Sequence, residues 1–300
     1  MRPNTSRIIV SSLLLLSTLS FAADNAGNRV MTEALKPSSI ENNLRHLTDE
    51  IGGRVPGTPG MEAGVAWGVA AFKAAGANSV RTEDFTIPHS WAEGKTELSI
   101  SSTGTALDEK VSSIPQVRFD ARVVSVAWAP ALALVKHVPI VDVGDGTEQD
   151  FAKAGDISGK VLLVHSVVLK TWADLFGEYD KAPPIITRAV KGKARAIIFM
   201  STRDHDLLYR HTNSVAGEID RIPMVLVARE DGERIARLLA SGHPAWADLS
   251  IPNKIGGAFK TSNVVAELRG TEKPEEYVVL GAHLDSWELG TGALDNGCNS

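Results

Sequence analysis

The chain has 300 residues, 43% of them hydrophobic and 22% charged, and a formal net charge of −5. That length and apolar content suit one or two domains with a substantial core, and the mild acidity argues against a chain built to bind nucleic acid or an anionic membrane surface. Cys298 is the one cysteine, so no internal disulfide can form and the fold must rest on its core.

Arg2 and Arg7 precede Ile8–Leu19, an apolar stretch broken only by Ser and Thr, and Ser20-Phe21-Ala22 then places small residues before a cut. This pattern predicts a secretory signal peptide over residues 1–22. The stretch is shorter than the roughly 20 residues a membrane span needs, and no cysteine near the cut offers a lipid anchor. The mature protein is expected to be exported, periplasmic or extracellular, with no membrane association after cleavage. Removing two arginines and no acids takes its net charge from −5 to −7.

Ser38-Ser39-Ile40-Glu41 predicts a capping-box start, with Ile40, Leu44, Leu47 and Ile51 on one helical face. Gly52-Gly53 should end that helix, and residues 56–60 should form a tight loop. His46 reads as an exposed or partly buried helix residue. A second helix is expected from about Met61 to Ala75, with Val65, Val69 and Phe72 on one side and Gly76 as its stop. Arg81–Ile87 reads as a strand, and Thr103–Pro115 as the best linker-like stretch.

From about Ala121 the pattern changes to short Val/Ile/Leu runs separated by Gly and Asp. Val138–Val143, Lys160–Val164, Ala194–Met200 and Ile222–Val227 read as buried strands. Asp231–Ala240 reads as an amphipathic helix stopped at Gly242, and Ala247–Ile251 as a closing strand. His165 follows a buried strand and should be packed or hydrogen-bonded. His205 and His211, with Asp204 and Asp206, read as a solvated polar loop. Trp172, Phe176, Tyr179 and Tyr209 either line a substrate path or anchor a long loop.

The most informative stretch is Tyr277-Val-Val-Leu-Gly-Ala-His283-Leu-Asp285-Ser-Trp287, followed by Gly290-Thr-Gly292-Ala-Leu-Asp295-Asn296-Gly297. Tyr277–Ala282 carries no charge and predicts a strand buried on both faces. His283 and Asp285 would then lie at its carboxyl end, where binding groups collect in α/β sheets. Residues two apart on an extended chain share a face. A neutral imidazole is a good zinc ligand, and a neighbouring carboxylate either binds metal itself or orients the ring. The glycines would let the loop return Asp295 to the same place. Taken singly, His283 could be a capped core histidine and Asp295-Asn296-Gly297 only a turn; the combination favours a metal site.

This combination resembles the co-catalytic zinc aminopeptidases and carboxypeptidases, most closely the carboxypeptidase Q branch. Leu44–Gly60 and the helix bearing Trp67 resemble the opening of these enzymes. The resemblance implies an α/β fold with a zinc-aminopeptidase-like mixed sheet, incomplete here, interrupted by a mainly β protease-associated domain that binds no metal and shapes the active-site mouth or contacts partners. The implied boundaries are 23–118 and 254–300 for peptidase parts and 119–253 for the insert. It further implies two Zn2+ ions, with His283 a terminal ligand, Asp295 the bridging ligand and Asp285 the orienter of His283. A cis peptide is implied at Asp295-Asn296.

The expected activity is exopeptidase hydrolysis of peptides or dipeptides by a metal-activated water, with a homodimer possible in the complete enzyme. The general base and remaining ligands of the family lie downstream of the bridging Asp, so the chain looks truncated at its C-terminus and is expected to be inactive by itself. Glu275-Glu276 reads as a charged turn and cannot stand in for that base. Two other readings stay open: a non-catalytic protease-associated binding module with a vestigial metal strand, and a glutaminyl-cyclase-like enzyme on the same fold.

Overall fold

The computed structural model describes residues 24–103, 116–209, 218–287 and 290–298. The expected signal peptide, nearly all of the linker-like stretch and His211 lie outside the described residues. The chain divides into two units, Met1–Gly53 with Leu280–Ser300, and Arg54–Val279.

In the first unit α1 spans Asp24–Ala34, and α2 spans Ile40–Arg45 before a π-helical turn at His46–Ile51. The predicted capping box is not formed. Ser39 precedes the helix without a side-chain cap, and Ser38 Oγ accepts instead from the Ile40 amide at 3.4 Å. The predicted face is buried only where the turn packs: Leu47 is 1% exposed, whereas Ile40 is 70% exposed. Gly52 ends the segment at φ +79°, a conformation glycine adopts without cost. His46 is partly exposed and pairs with Glu50 at 2.6 Å, as a surface helix residue should.

The second unit runs α3 (Pro59–Ala74), β1 (Ser79–Ile87), β2 (Trp91–Ala92), β3 (Glu97–Thr103), β4 (Gln116–Asp120), β5 (Val123–Ser125), β6 (Leu132–Asp142) and α4 (Glu148–Ala154). It continues through β7 (Val161–Val164), α5 (Trp172–Lys191), β8 (Ala196–Met200), β9 (Met224–Val227), α6 (Arg229–Ala240), β10 (Ala245–Ile251), β11 (Lys254–Ile255) and β12 (Phe259–Glu267).

β1 and β12 form an antiparallel ribbon, from Ser79 opposite Glu267 to Ile87 opposite Phe259. α3 is capped by Thr58, whose Oγ1 accepts from the Met61 amide at 3.4 Å, with Pro59 in the first turn where its missing N–H is no loss. The packed face of α3 differs from the predicted one. Met61, Gly64 and Gly68 are buried, Val65 and Val69 partly so, and Phe72 is 45% exposed. A Cβ at Gly68 would stand 3.4 Å from Val264 Cγ2, so the small side of the helix meets the ribbon.

The main sheet has strand order β4-β3-β10-β6-β7-β8-β9-β5. The neighbours β6-β7-β8-β9 are parallel, and the other pairings are antiparallel. All residues of β7, β8 and β9 are buried. Alternation sends Val161, Leu163 and Ile198 to one face, with Ile235 of α6. It sends Leu162, Val164, Ile197 and Phe199 to the other, with Ile185, Ile186 and Ala189 of α5. β10 alternates strictly between buried and half-buried residues, as a strand packed on one face does. The predicted strands at 160–164, 194–200, 222–227 and 247–251, and the helix at 231–240, are present within two residues of their expected bounds, and the strand predicted at 138–143 is the second half of β6, which starts earlier, at Leu132.

Two differences stand out. The long loop considered around Trp172–Tyr179 is the first half of α5, a 20-residue helix with Pro183 and Pro184 inside it. Those prolines, each lacking the amide a helix interior uses, masked it. Its start is a capping box in which Thr171 and Asp174 exchange hydrogen bonds. Trp172 and Phe176 are 76% and 63% exposed, so in the described structure they anchor nothing. The second difference is at Tyr277–Ala282, which is not a strand. Tyr277, Val278, Val279 and Leu280 are 80–93% exposed. A strand buried on both faces needs partner strands and covering layers, and among the described residues none pairs with this segment.

His165, just after β7, is held by Asp142 at the end of β6, with Nε2 and Oδ2 3.0 Å apart. Asp142 is the main cause of the raised pKa of the His165 imidazole, ahead of an opposing cost from burial. A histidine whose folded pKa is raised adds stability that is complete below its unfolded value and is lost as pH rises through the folded value. Asp142→Ala is therefore expected to lower stability by about 1 kcal/mol near pH 5.5 and by less near pH 9, measured by urea unfolding at both pH values. Phe199→Ala, at a fully buried position in β8, is expected to cost about 3–5 kcal/mol in the same assay, at either pH.

Candidate metal centre

The imidazole of His283 lies between two carboxylates. Its Nδ1 is 3.0 Å from Asp285 Oδ1, and its Nε2 is 3.1 Å from Asp295 Oδ1. Asp285 reaches the ring from two residues along the chain. Asp295 reaches it from the far side of the Gly-rich loop. The structure thus brings together all three residues that the sequence singled out, although no regular strand delivers them.

The return of Asp295 is a local construction. Gly292 enters the turn at φ +68°, a left-handed conformation that suits glycine. Ala293–Gly297 then forms a π-helical turn closed by Gly297 N to Gly292 O at 2.8 Å and Cys298 N to Ala293 O at 2.9 Å. The Asp295-Asn296 peptide is cis, as the family resemblance implies. Asn296 and Gly297 are buried, and the turn packs against His46–Ile51 of the same unit. Two side chains tie the loop to its start: Asn296 Nδ2 donates to the His283 carbonyl at 3.2 Å, and Trp287 Nε1 donates to Asp295 Oδ2 at 3.3 Å. Sequence reasoning assigned neither residue a role. Its available signal was position, since Trp287 stands two residues beyond Asp285 as Asp285 does beyond His283.

The spacing fits a shared cation. Two ligand atoms each about 2.0–2.1 Å from a tetrahedral zinc lie about 3.3 Å apart, close to the 3.1 Å between His283 Nε2 and Asp295 Oδ1. Asp285 sits on the other ring nitrogen, where a carboxylate selects the tautomer and fixes the ring plane. Among the described residues no group of three or more His, Cys, Asp or Glu side chains is disposed to hold a metal ion. The side chains are open to solvent, at 54% for His283, 46% for Asp285 and 35% for Asp295.

The other histidines and acids considered, as far as they lie among the described residues, are engaged elsewhere. His165 is bound to Asp142. In an exposed loop the amides of His205 and Asp206 donate to Glu230 of α6, and Asp204 of that loop faces Arg229 of α6 at 3.5 Å. A shallow cleft beside His165 includes Asp145, Asp174, Glu178 and Lys181. There Asp174 caps α5 by accepting from the amides of Lys170 and Thr171, which lower its carboxyl pKa. Burial pushes Asp220 up to about 6, but its carboxyl stands outside any cluster of ligands. Glu276 pairs with Lys273 at 3.0 Å in an exposed turn, as expected of a charged turn.

Comparison with known proteins bears out the resemblance drawn from the sequence. Residues 263–300 match the model of Peptidase family M28. The chain is 23% identical to carboxypeptidase Q of Bos taurus over 256 residues, covering 85% of this chain and 50% of that protein. The fold is shared with a Peptidase M28 precursor from Shewanella amazonensis SB2B, at a TM-score of 0.72 and 24% identity over 91% of this chain and 60% of that one. It is shared more loosely with a zinc aminopeptidase from Bacillus subtilis, at a TM-score of 0.54 and 20% identity over 86% of this chain and 53% of that one. The mixed α/β class predicted from the sequence is therefore the observed one. The chain spans about half the length of the curated relatives it matches.

Proposed function

We propose that these residues form the opening part of an exported zinc exopeptidase that removes terminal residues from peptides or dipeptides. The observation that carries this reading is His283 set between Asp285 and Asp295 at 3.0 and 3.1 Å, in a segment that matches a peptidase family model. The similarity to a carboxypeptidase and to a zinc aminopeptidase supports the reaction class and the metal. His283 would hold one zinc through Nε2. Asp295, with two carboxylate oxygens, would bridge to a second. A zinc pair supplies Lewis-acid polarisation of the scissile carbonyl and activates the attacking water.

The chain's own residues have narrower tasks. Asp285 accepts from the His283 Nδ1–H, which leaves the Nε2 lone pair for a cation. The turn at Ala293–Gly297 presents Asp295 to the same point. Asp285, the other carboxylate beside His283, is committed to the ring Nδ1 at 3.0 Å, so our reading leaves the general base unassigned. In our reading, residues 1–300 therefore bind zinc weakly and do not turn over peptide by themselves. Export rests on Arg2, Arg7 and the apolar Ile8–Leu19. Among the described residues no helix is long and apolar enough to cross a membrane.

The test is dipeptide hydrolysis by the protein expressed from its whole reading frame. Activity should be lost to a chelator and restored by zinc. His283→Ala and Asp295→Ala should each lower kcat/KM by about 10³-fold or more, a loss of about 4 kcal/mol of transition-state stabilisation. Chelator-resistant hydrolysis, or full activity in both variants, would overturn the proposal. The 300-residue chain should show no chelator-sensitive release of amino acids.

A further inference from the structure

The geometry points to Trp287 as the positioning residue of the Asp295 carboxylate, an inference that rests on the metal-site reading above. Its indole Nε1–H reaches Asp295 Oδ2 at 3.3 Å, while Oδ1 of the same carboxylate meets His283 Nε2 at 3.1 Å. Each oxygen is thereby assigned a direction. A carboxylate on a single Cβ can rotate about its last torsion with little restraint, and a donor on one oxygen removes that freedom. The donor is also fixed in place, because Trp287 is half-buried and the Asn296 amide bound to the His283 carbonyl holds the loop that carries Asp295.

The choice of indole has a chemical reason. Indole nitrogen is a donor only, uncharged and without an available lone pair. It can therefore orient a metal-binding carboxylate without competing for the metal. It also leaves the carboxylate charge intact, whereas a lysine or arginine in its place would neutralise the ligand and repel the cation. Each carboxylate oxygen has a second lone pair, so Oδ2 can accept from Trp287 and still face a cation. Partners that orient a metal ligand in this way are worth about 10–100-fold in affinity.

Trp287→Phe keeps the ring and deletes the N–H. In the 300-residue chain labelled with ¹⁵N-tryptophan, the indole resonance absent from this variant identifies Trp287. Asp295→Ala should shift that resonance upfield in ¹H and speed its exchange with solvent; an unmoved resonance would overturn the contact. In zinc titrations, Trp287→Phe should weaken binding about 10-fold with an unchanged melting curve. Affinity within twofold of the parent, while His283→Ala abolishes binding, would overturn the positioning role and leave the metal site standing. Zinc uptake insensitive to both His283→Ala and Asp295→Ala would instead overturn the metal-site reading, and the indole resonance would still decide the hydrogen bond.

Discussion

Burial of short parallel strands on both faces is the constraint on which this structure depends. β7, β8 and β9 are four or five residues each, and every one of their residues is buried. Such strands gain nothing from amphipathic alternation and hold only if a layer covers each side. α6 supplies one layer and α4 with α5 the other. The antiparallel strands β10, β3 and β4 extend the sheet with one face only committed to the core, which is why their sequences alternate and those of β7–β9 do not.

Tyr277–Ala282 shows the same composition with the opposite outcome. Its Val-Val-Leu run is as apolar as that of β7, yet Val278 and Leu280 are 91% and 93% exposed while Val161 and Leu163 are fully buried. Composition marks a segment as able to be a two-sided strand; only neighbours make it one. About 25 cal/mol per Å² of apolar area is forgone by each exposed side chain. The pattern thus identifies the segment's capacity, and the packing partners decide its state.

This contrast explains what could be read from the chain alone. The central strands and α6 were legible because an unbroken apolar run or a 3.6-residue period leaves few alternatives. α5 was not, because Pro183 and Pro184 contradict its periodicity and its stability comes from Ile185, Ile186 and Ala189 packing on the sheet. The helix face at Val65, Val69 and Phe72 was misread for a related reason. Apolar size suggested burial, whereas close approach of α3 to Val264 selected the glycine side. At the candidate metal centre, His283, Asp285 and Asp295 were legible from residue type and spacing. Trp287 and Asn296 were not, since a hydrogen bond from a side chain to a folded loop has no periodic signature.

The site geometry does not need the strand. The ties that place Asp295 run between residues 283 and 298 and close loops of 5 to 13 residues, whose closure entropy is modest. The site can therefore be ordered although Tyr277–Ala282 is not a strand. The same openness sets its weakness. Two carboxylates can converge on one imidazole at 35–54% exposure because water screens their repulsion, and that water equally weakens their pull on a cation. Walls that excluded solvent would strengthen each ligand's attraction without moving an atom of His283 or Asp295. The distances make the site specific; its affinity depends on how much low-dielectric protein surrounds it.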